Sequence, residues 1–231
     1  MTDNHMKRLE SPKTWKIEKK KSTFVTKPTP AGHEESLGTS LNTFLKEMVD
    51  VVDTTKEVEY LLKEDTIEVN KQQIYDHGRQ VGFLDIISLP EHDTHYMITI
   101  GQYGELQPKE VSDDPEILSR IEGKTYLKGG RLQLNTQSGR NVVVDEDNYS
   151  VGDSIKVDVS TNEVVDHFPR EEGSHAFIFT GKHAGKQGTI DELKEETVKI
   201  QSEDETFETR RAYLLIIGVD KPEVDLEVNY D

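Results

Sequence analysis

Three glycines, Gly181, Gly185 and Gly188, fall within eight residues of the stretch TGKHAGKQGTI and are interleaved with Lys182, His183 and Lys186. Glycine admits positive φ and lets backbone approach a ligand closely. A row of exposed backbone N–H groups flanked by two ammonium groups suits phosphate oxygens. The stretch is not a nucleotide-triphosphate loop. That motif is G-x-x-x-x-G-K-[ST] ahead of a helix, whereas Gln187 follows Gly185-Lys186 here and a strand pattern comes next. Without a ligand, the same residues make a tight β-turn with solvated lysines.

Other residue types that could do chemistry are weaker. His92, Asp93 and His95 form an H-x-x-H pair that lacks a third metal ligand, and the stretch reads as a polar turn. Asp145, Glu146 and Asp147 read as a solvated turn after a strand rather than a divalent-cation site. Asp85 interrupts the apolar run FLDII; it is expected to accept backbone hydrogen bonds or to face solvent at a bend, rather than to serve as a catalytic carboxylate. The sequence has no G-x-S-x-G elbow.

The elements that would position these groups are small. The chain has 231 residues, no cysteine and 33% hydrophobic residues, so several modest modules fit better than one large core. With no thiol, neither a disulfide framework nor a thiolate metal site is available. No apolar run approaches the length of a membrane span, and the charged N-terminus lacks a secretory signal core, which reads as intracellular. The net charge of −17 is uneven: residues 1–30 carry eight basic and three acidic residues, hence +5, which leaves −22 for the rest. A basic arm on an acidic body suggests that the arm meets a polyanion while the body faces water. The arm is expected to be mobile until it binds.

Residues 26–38 read as a linker. Leu41, Phe44, Leu45, Met48 and Val52 then form one helical stripe, and Ser40 or Thr39 could cap it. Thr54 with Glu57 predicts a capping box for a second short helix that buries Val58, Leu61 and Leu62. Short strands follow at TIEVN and at QVGFLDIISL, with turns at Asp65 and Asn70. From 91 to 172, frequent turn signals and alternation at Leu132/Leu134 and at Ile155/Val157/Val159 predict a small β-barrel or sandwich. Pro115 predicts a short helix over 116–121. Residues 173–218 read as a compact β-barrel, and 219–231 as a loose acidic tail.

The pattern strand, GKHAGKQG, strand resembles the KOW motif, and residues 39–90 resemble the small αα-β RNA-binding module named after bacterial ribosomal protein S-four. Together with KRLESPKTW at 7–15 and KTYLKGGRLQLNTQSGRN at 124–141, the order of modules resembles the small-subunit ribosomal protein S-four-e family of archaea and eukaryotes. The resemblance implies an α+β, multi-module fold with the helix-pair module, a central small β-barrel or sandwich and a C-terminal KOW-type, SH3-like barrel. It implies a ribosomal, cytoplasmic protein that binds ribosomal RNA beside neighbouring ribosomal proteins. No catalysis, cofactor, metal or small-molecule substrate is implied. Carried over by position, the RNA-contacting residues are Lys7, Arg8, Lys13, Trp15 and Lys16 in the arm, Lys56 at the second helix, Lys128, Arg131 and Arg140 in the central segment, and Lys182, His183 and Lys186 in the glycine loop. The charge of the arm adds Lys19, Lys20, Lys21 and Lys27. Asp65 and Lys71 depart from the module, which usually holds glycine at those turns, and the body is unusually acidic. Two alternatives stay open on the sequence: an RNA-modifying enzyme of the pseudouridine-synthase type anchored by the helix pair, and a non-ribosomal KOW protein of transcription.

Overall fold

A computed structural model describes residues 5–64, 67–90, 93–112, 116–202, 205–219 and 221–228. The chain is mostly β; among the described residues its α-helices fall in the first third, and a short 3-10 turn, Arg211–Tyr213, lies near the end. It divides into two compact units: Met1–Thr99 with Glu105–Asp114, and Ile100–Gly104 with Pro115–Asp231. No helix among the described residues is long and apolar enough to cross a membrane.

In the first unit the arm is folded. Strands His5–Lys7 and Phe24–Thr26 pair antiparallel, and the chain between them loops inward to bury Trp15. The expected helix pair follows. Ser40 caps the first helix by accepting from the Thr43 N–H, and Leu41, Phe44 and Leu45 are fully buried. Its regular turn covers only Leu41–Thr43, and Phe44–Met48 widens into a π-helical turn that closes with the Val49 N–H on the Phe44 carbonyl. The helix stops at Asp50, whose φ is +62°, so Val52 lies beyond it. Thr54 and Glu57 form the capping box at the head of helix Thr55–Lys63, which buries Val58 and Leu62.

The apolar run QVGFLDIISL is two strands rather than one. Gln80–Gly82 pairs with Gly38–Ser40, whereas Ile86–Leu89 pairs with Glu68–Val69 and Thr94–Ile100. Between them Leu84 adopts φ +70°, and the Asp85 carboxylate accepts from the Gly82 N–H, so a side chain closes the turn. The Thr94–Ile100 pairing ties residues just after 91 to the first unit, not to a separate central domain. The expected turn at Asp65 lies outside the described residues. The turn at Asn70-Lys71 joins Glu68–Val69 to Gln72–Gln73 with φ of +52° and +58°, two successive left-handed residues. Such a hairpin favours glycine at its second position. Lys71→Gly is therefore expected to raise stability by about 0.5–1 kcal/mol, read as a higher urea midpoint at unchanged m-value.

The second unit carries two five-stranded antiparallel sheets. In the first the order is Asn141–Val144, Leu132–Thr136, Glu116–Tyr126, Ser154–Asp158, Val164–Phe168. The predicted alternation holds at Leu132/Leu134 and at Ile155/Val157, which pack with Ile121 and Val142 into one cluster, while Val159 falls past the strand end. The helix expected over 116–121 is instead the start of the eleven-residue strand Glu116–Tyr126. Strands on both sides take its ladder hydrogen bonds, and β-branched Ile117 and Ile121 bury best in an extended chain. Pro115 lies outside the described residues.

The second sheet runs Thr206–Arg210, Thr197–Gln201, Gln187–Leu193, His175–Ile178, Leu214–Gly218. The segment after it is not loose. Leu226 is fully buried, and the Glu223 N–H reaches the Ile217 carbonyl.

Candidate nucleic-acid interface

The glycine loop joins strands His175–Ile178 and Gln187–Leu193. Gly181 and Gly185 have φ of +89° and +81°, and a Cβ on Gly185 would stand 2.4 Å from the Gly101 carbonyl oxygen. The glycines therefore serve close packing. The row of exposed N–H groups expected from the sequence is not found at Ala184, Gly185 and Lys186. Their N–H groups donate to the carbonyls of Gly181, Ile178 and His183, so the loop closes on itself. His183 stacks on Phe207 at 4.3 Å with 13° between the planes. Burial, followed by the Lys182 and Lys186 charges, lowers its pKa against the pull of Glu205. Lys186 is paired with Glu205 and lies 5.6 Å from the Phe207 ring centre. Lys182 is exposed and has no ion pair among the described residues.

In the arm the predicted residues separate into two sets. Arg8 is 2% exposed: its guanidinium is bidentate on the Glu47 carboxylate, and its Nε–H donates to the Glu18 carbonyl. Trp15 is also 2% exposed and donates its indole N–H to the Gly38 carbonyl at 2.8 Å. Lys19 bonds to the Ser11 and Pro12 carbonyls, and burial, then the Arg8 charge, lowers its pKa. Arg8 and Trp15 are buried framework of the arm, whereas Lys19 is half-buried and tied to the backbone by these bonds. Lys7, Lys13, Lys16, Lys20, Lys21 and Lys27 are exposed, and Lys16 reaches Gln107 at 3.1 Å.

Lys56 is exposed in the first turn of its helix. The preceding Thr55 hydroxyl accepts from the Asn42 amide, which also donates to Thr26, just before Lys27. Asn42 thus holds the end of the arm against the head of the helix, a link that stripe analysis passed over because the side chain is polar and sits on the buried side. Lys128 and Arg131 are exposed at the tip of the hairpin between Glu116–Tyr126 and Leu132–Thr136, where Gly129 and Gly130 both have positive φ. Arg140 is half-buried and donates to Asn162 at 3.4 Å.

Among the described residues, the other groups that could do chemistry are held by structural partners. Asp85 is buried and accepts from Asn70 and the Gly82 N–H while pairing with His33 at 2.7 Å. Burial alone would raise its pKa, but the His33 charge and these hydrogen bonds hold it below the usual carboxylate range. It is a structural acceptor, as its place in an apolar run suggested. Asp147 is occupied by the Lys124 ammonium and the Tyr126 hydroxyl. His95 shares a hydrogen bond with Ser88, and His92 lies outside the described residues. No group of three or more potential metal-ligating residues occurs among the described residues.

A β-rich scaffold with cations on hairpin tips, on loops and on a folded arm is suited to contact with an extended anionic surface. The chain belongs to the ribosomal S4e family. It matches the family described as Ribosomal family S4e over residues 92–164 and the RS4NT (NUC023) domain over residues 3–35. It is 37% identical to the small ribosomal subunit protein eS4 of Halobacterium salinarum over 97% of this chain and 99% of that protein. It is 34% identical to the protein of the same name from Methanocella arvoryzae, over 97% and 98%. The crystal structure of the 30S ribosomal protein S4e from Thermoplasma acidophilum aligns with a TM-score of 0.69 at 23% identity, covering 79% of this chain and 95% of that one.

Proposed function

We propose that this chain is a structural constituent of the small ribosomal subunit, located in the cytoplasmic ribosome, and that it binds ribosomal RNA beside neighbouring ribosomal proteins. It has no enzymatic role. The near full-length match to relatives named as small-subunit proteins carries the reading. Residues 39–90 serve as the αα-β RNA-binding module and 173–218 as the KOW-type barrel. The RNA contacts are the exposed cations: Lys7, Lys13, Lys16, Lys20, Lys21 and Lys27 in the arm, with Lys56, Lys128, Arg131 and Lys182 outside it. Lys186 and Arg140 contribute once RNA displaces their present partners. Arg8, Trp15 and Lys19 act indirectly, by holding the arm in shape.

The acidic balance fits this assignment. Phosphate neutralisation dominates affinity, so positive charge is needed only where RNA lies, and carboxylates elsewhere face solvent or protein. The test is sedimentation of the tagged chain from its native lysate. Co-migration with small subunits at low and moderate salt is expected. Co-migration with RNA polymerase instead would favour the transcription reading and overturn this one.

A further inference from the structure

Three arginines far apart in the sequence, Arg120, Arg170 and Arg211, come together in the second unit. Arg120 lies in strand Glu116–Tyr126, where the next residue, Ile121, donates its N–H to the Asp153 carbonyl and accepts from the Gly152 N–H. The Arg170 guanidinium rests on Gly152, leaving no room for a Cβ there, and its Nη2 donates to the Val151 carbonyl at 3.1 Å. Two residues on, Glu172 accepts from the Leu193 N–H, so this loop abuts the turn at 194–195. There Arg211 Nη1 donates to the Lys194 and Glu195 carbonyls at 3.3 and 3.2 Å.

The charge of this cluster is poorly neutralised. Arg120 is 9% exposed, and its one ion pair among the described residues is 3.7 Å long, to the half-exposed Glu122. Arg170 and Arg211 have no ion pair among the described residues. The buried Asp153 carboxylate is spent on the Ser150 and Arg170 backbone N–H groups and on His167, and Glu171, Glu172 and Glu195 face solvent. Burial, then the Arg211 and Arg120 charges, lowers the Arg170 pKa against the pull of Asp153. The enclosed, unpartnered nitrogens are the three Nε atoms, whereas Arg170 Nη1 and Arg211 Nη2 are unpaired and open to solvent. Gathering partly buried like charges is costly unless an anion offsets them.

We propose that Arg170 and Arg211 clamp one backbone phosphate of the bound RNA, its oxygens accepting from Arg170 Nη1 and Arg211 Nη2 while buried Arg120 adds its charge. The assignment rests on the RNA-binding reading above. Guanidinium forks match phosphate oxygens in geometry as well as in charge. The bonds to Val151, Lys194 and Glu195 hold both forks in place before RNA arrives, so little side-chain ordering remains for the binding step. A base carries no charge that would relieve the cluster, so the site positions the RNA backbone rather than reading sequence.

The test treats the full wild-type chain with phenylglyoxal, which modifies accessible guanidinium groups, and follows each arginine by peptide mass spectrometry. A transcribed small-subunit RNA fragment at about ten times its Kd should slow modification of Arg170 and Arg211 about tenfold, in proportion to the sites left open. Arg170→Gln combined with Arg211→Gln should weaken RNA binding about tenfold, as for a lost charge-assisted hydrogen bond. It should also lower the slope of log affinity against log salt by about 0.7–0.9, the share of one phosphate. If this variant does not fold, protection of the wild type decides. Unchanged modification rates in the RNA complex, or an unchanged slope in the folded variant, would overturn the inference. Protection by inorganic phosphate but not by RNA would also overturn it, since the site would then take a free anion. If RNA binds through the arm lysines while both arginines stay reactive, only this inference fails. If RNA does not bind at all, the RNA reading fails with it.

Discussion

Asp85→Ala should destabilise the first unit by about 3–5 kcal/mol, the cost of removing one partner from a buried ion pair. The carboxylate joins three segments: His33 from the stretch after the arm, Asn70 from the hairpin turn, and the Gly82 N–H from the broken strand. Its removal strands a buried imidazole and an amide together. The loss should depend on pH. Burial opposes the His33 imidazolium, but the Asp85 charge and hydrogen bond outweigh it, and the net pKa is raised above 6.5. That contribution is fully present below pH 6.5 and is lost as pH rises through the folded value. The Asp85 pKa is lowered below 3.8, so its contribution is present above pH 3.8 and is lost as pH falls through the folded value. The difference between wild type and variant in urea unfolding should therefore be greatest between about pH 4 and 6.5 and should shrink toward pH 9. A difference that is flat across this range would show that the pair is not ionised in the fold.

Trp15→Ala should cost about 3–5 kcal/mol, as for other buried large aromatics. It should also release the arm, because the indole anchors residues 11–19 to Gly38. Limited trypsin digestion of the free protein should leave wild-type Lys20 and Lys21 cut slowly and the variant cut rapidly. Trp15→Phe should keep most of the packing and lose about 1 kcal/mol with the hydrogen bond. If the arm of the free wild-type protein is cut as fast as that of the alanine variant, then it is not docked, and the mobile arm expected from its charge is the better description.

The features legible in the sequence were those fixed within a few residues. The capping box at Thr54 and Glu57 needs only a three-residue spacing, and the alternation at Leu132/Leu134 needs only period two. The hidden features depend on distant partners. Arg8 and Glu47 are separated by 39 residues, and His33 and Asp85 by 52. A basic residue in a basic arm therefore reads as a ligand contact when it is in fact a strut. Trp15 misled in the same way, although Ile17 and Val25 nearby hinted at a folded arm. In the QVGFLDIISL run, composition could not reveal left-handed Leu84, and Asp85 was the only sign of a break. The glycine loop was located correctly, but the fate of its N–H groups follows from tertiary closure, which no spacing encodes. In the acidic tail, the VDLEV pattern around Leu226 was the overlooked signal of docking.

Deleting the arm would remove Arg8 and Trp15 from the core of the first unit and confuse binding with folding. The direct measurement is a salt titration of binding to a transcribed small-subunit RNA fragment, comparing the full chain with a variant carrying Gln at Lys7, Lys13, Lys20 and Lys21, which are exposed. Each neutralised phosphate contributes about 0.7–0.9 to the slope of log affinity against log salt, so the slope should fall by about 3 while the unfolding midpoint stays put. Equal slopes would mean that the arm does not touch RNA and that the acidic body binds it elsewhere.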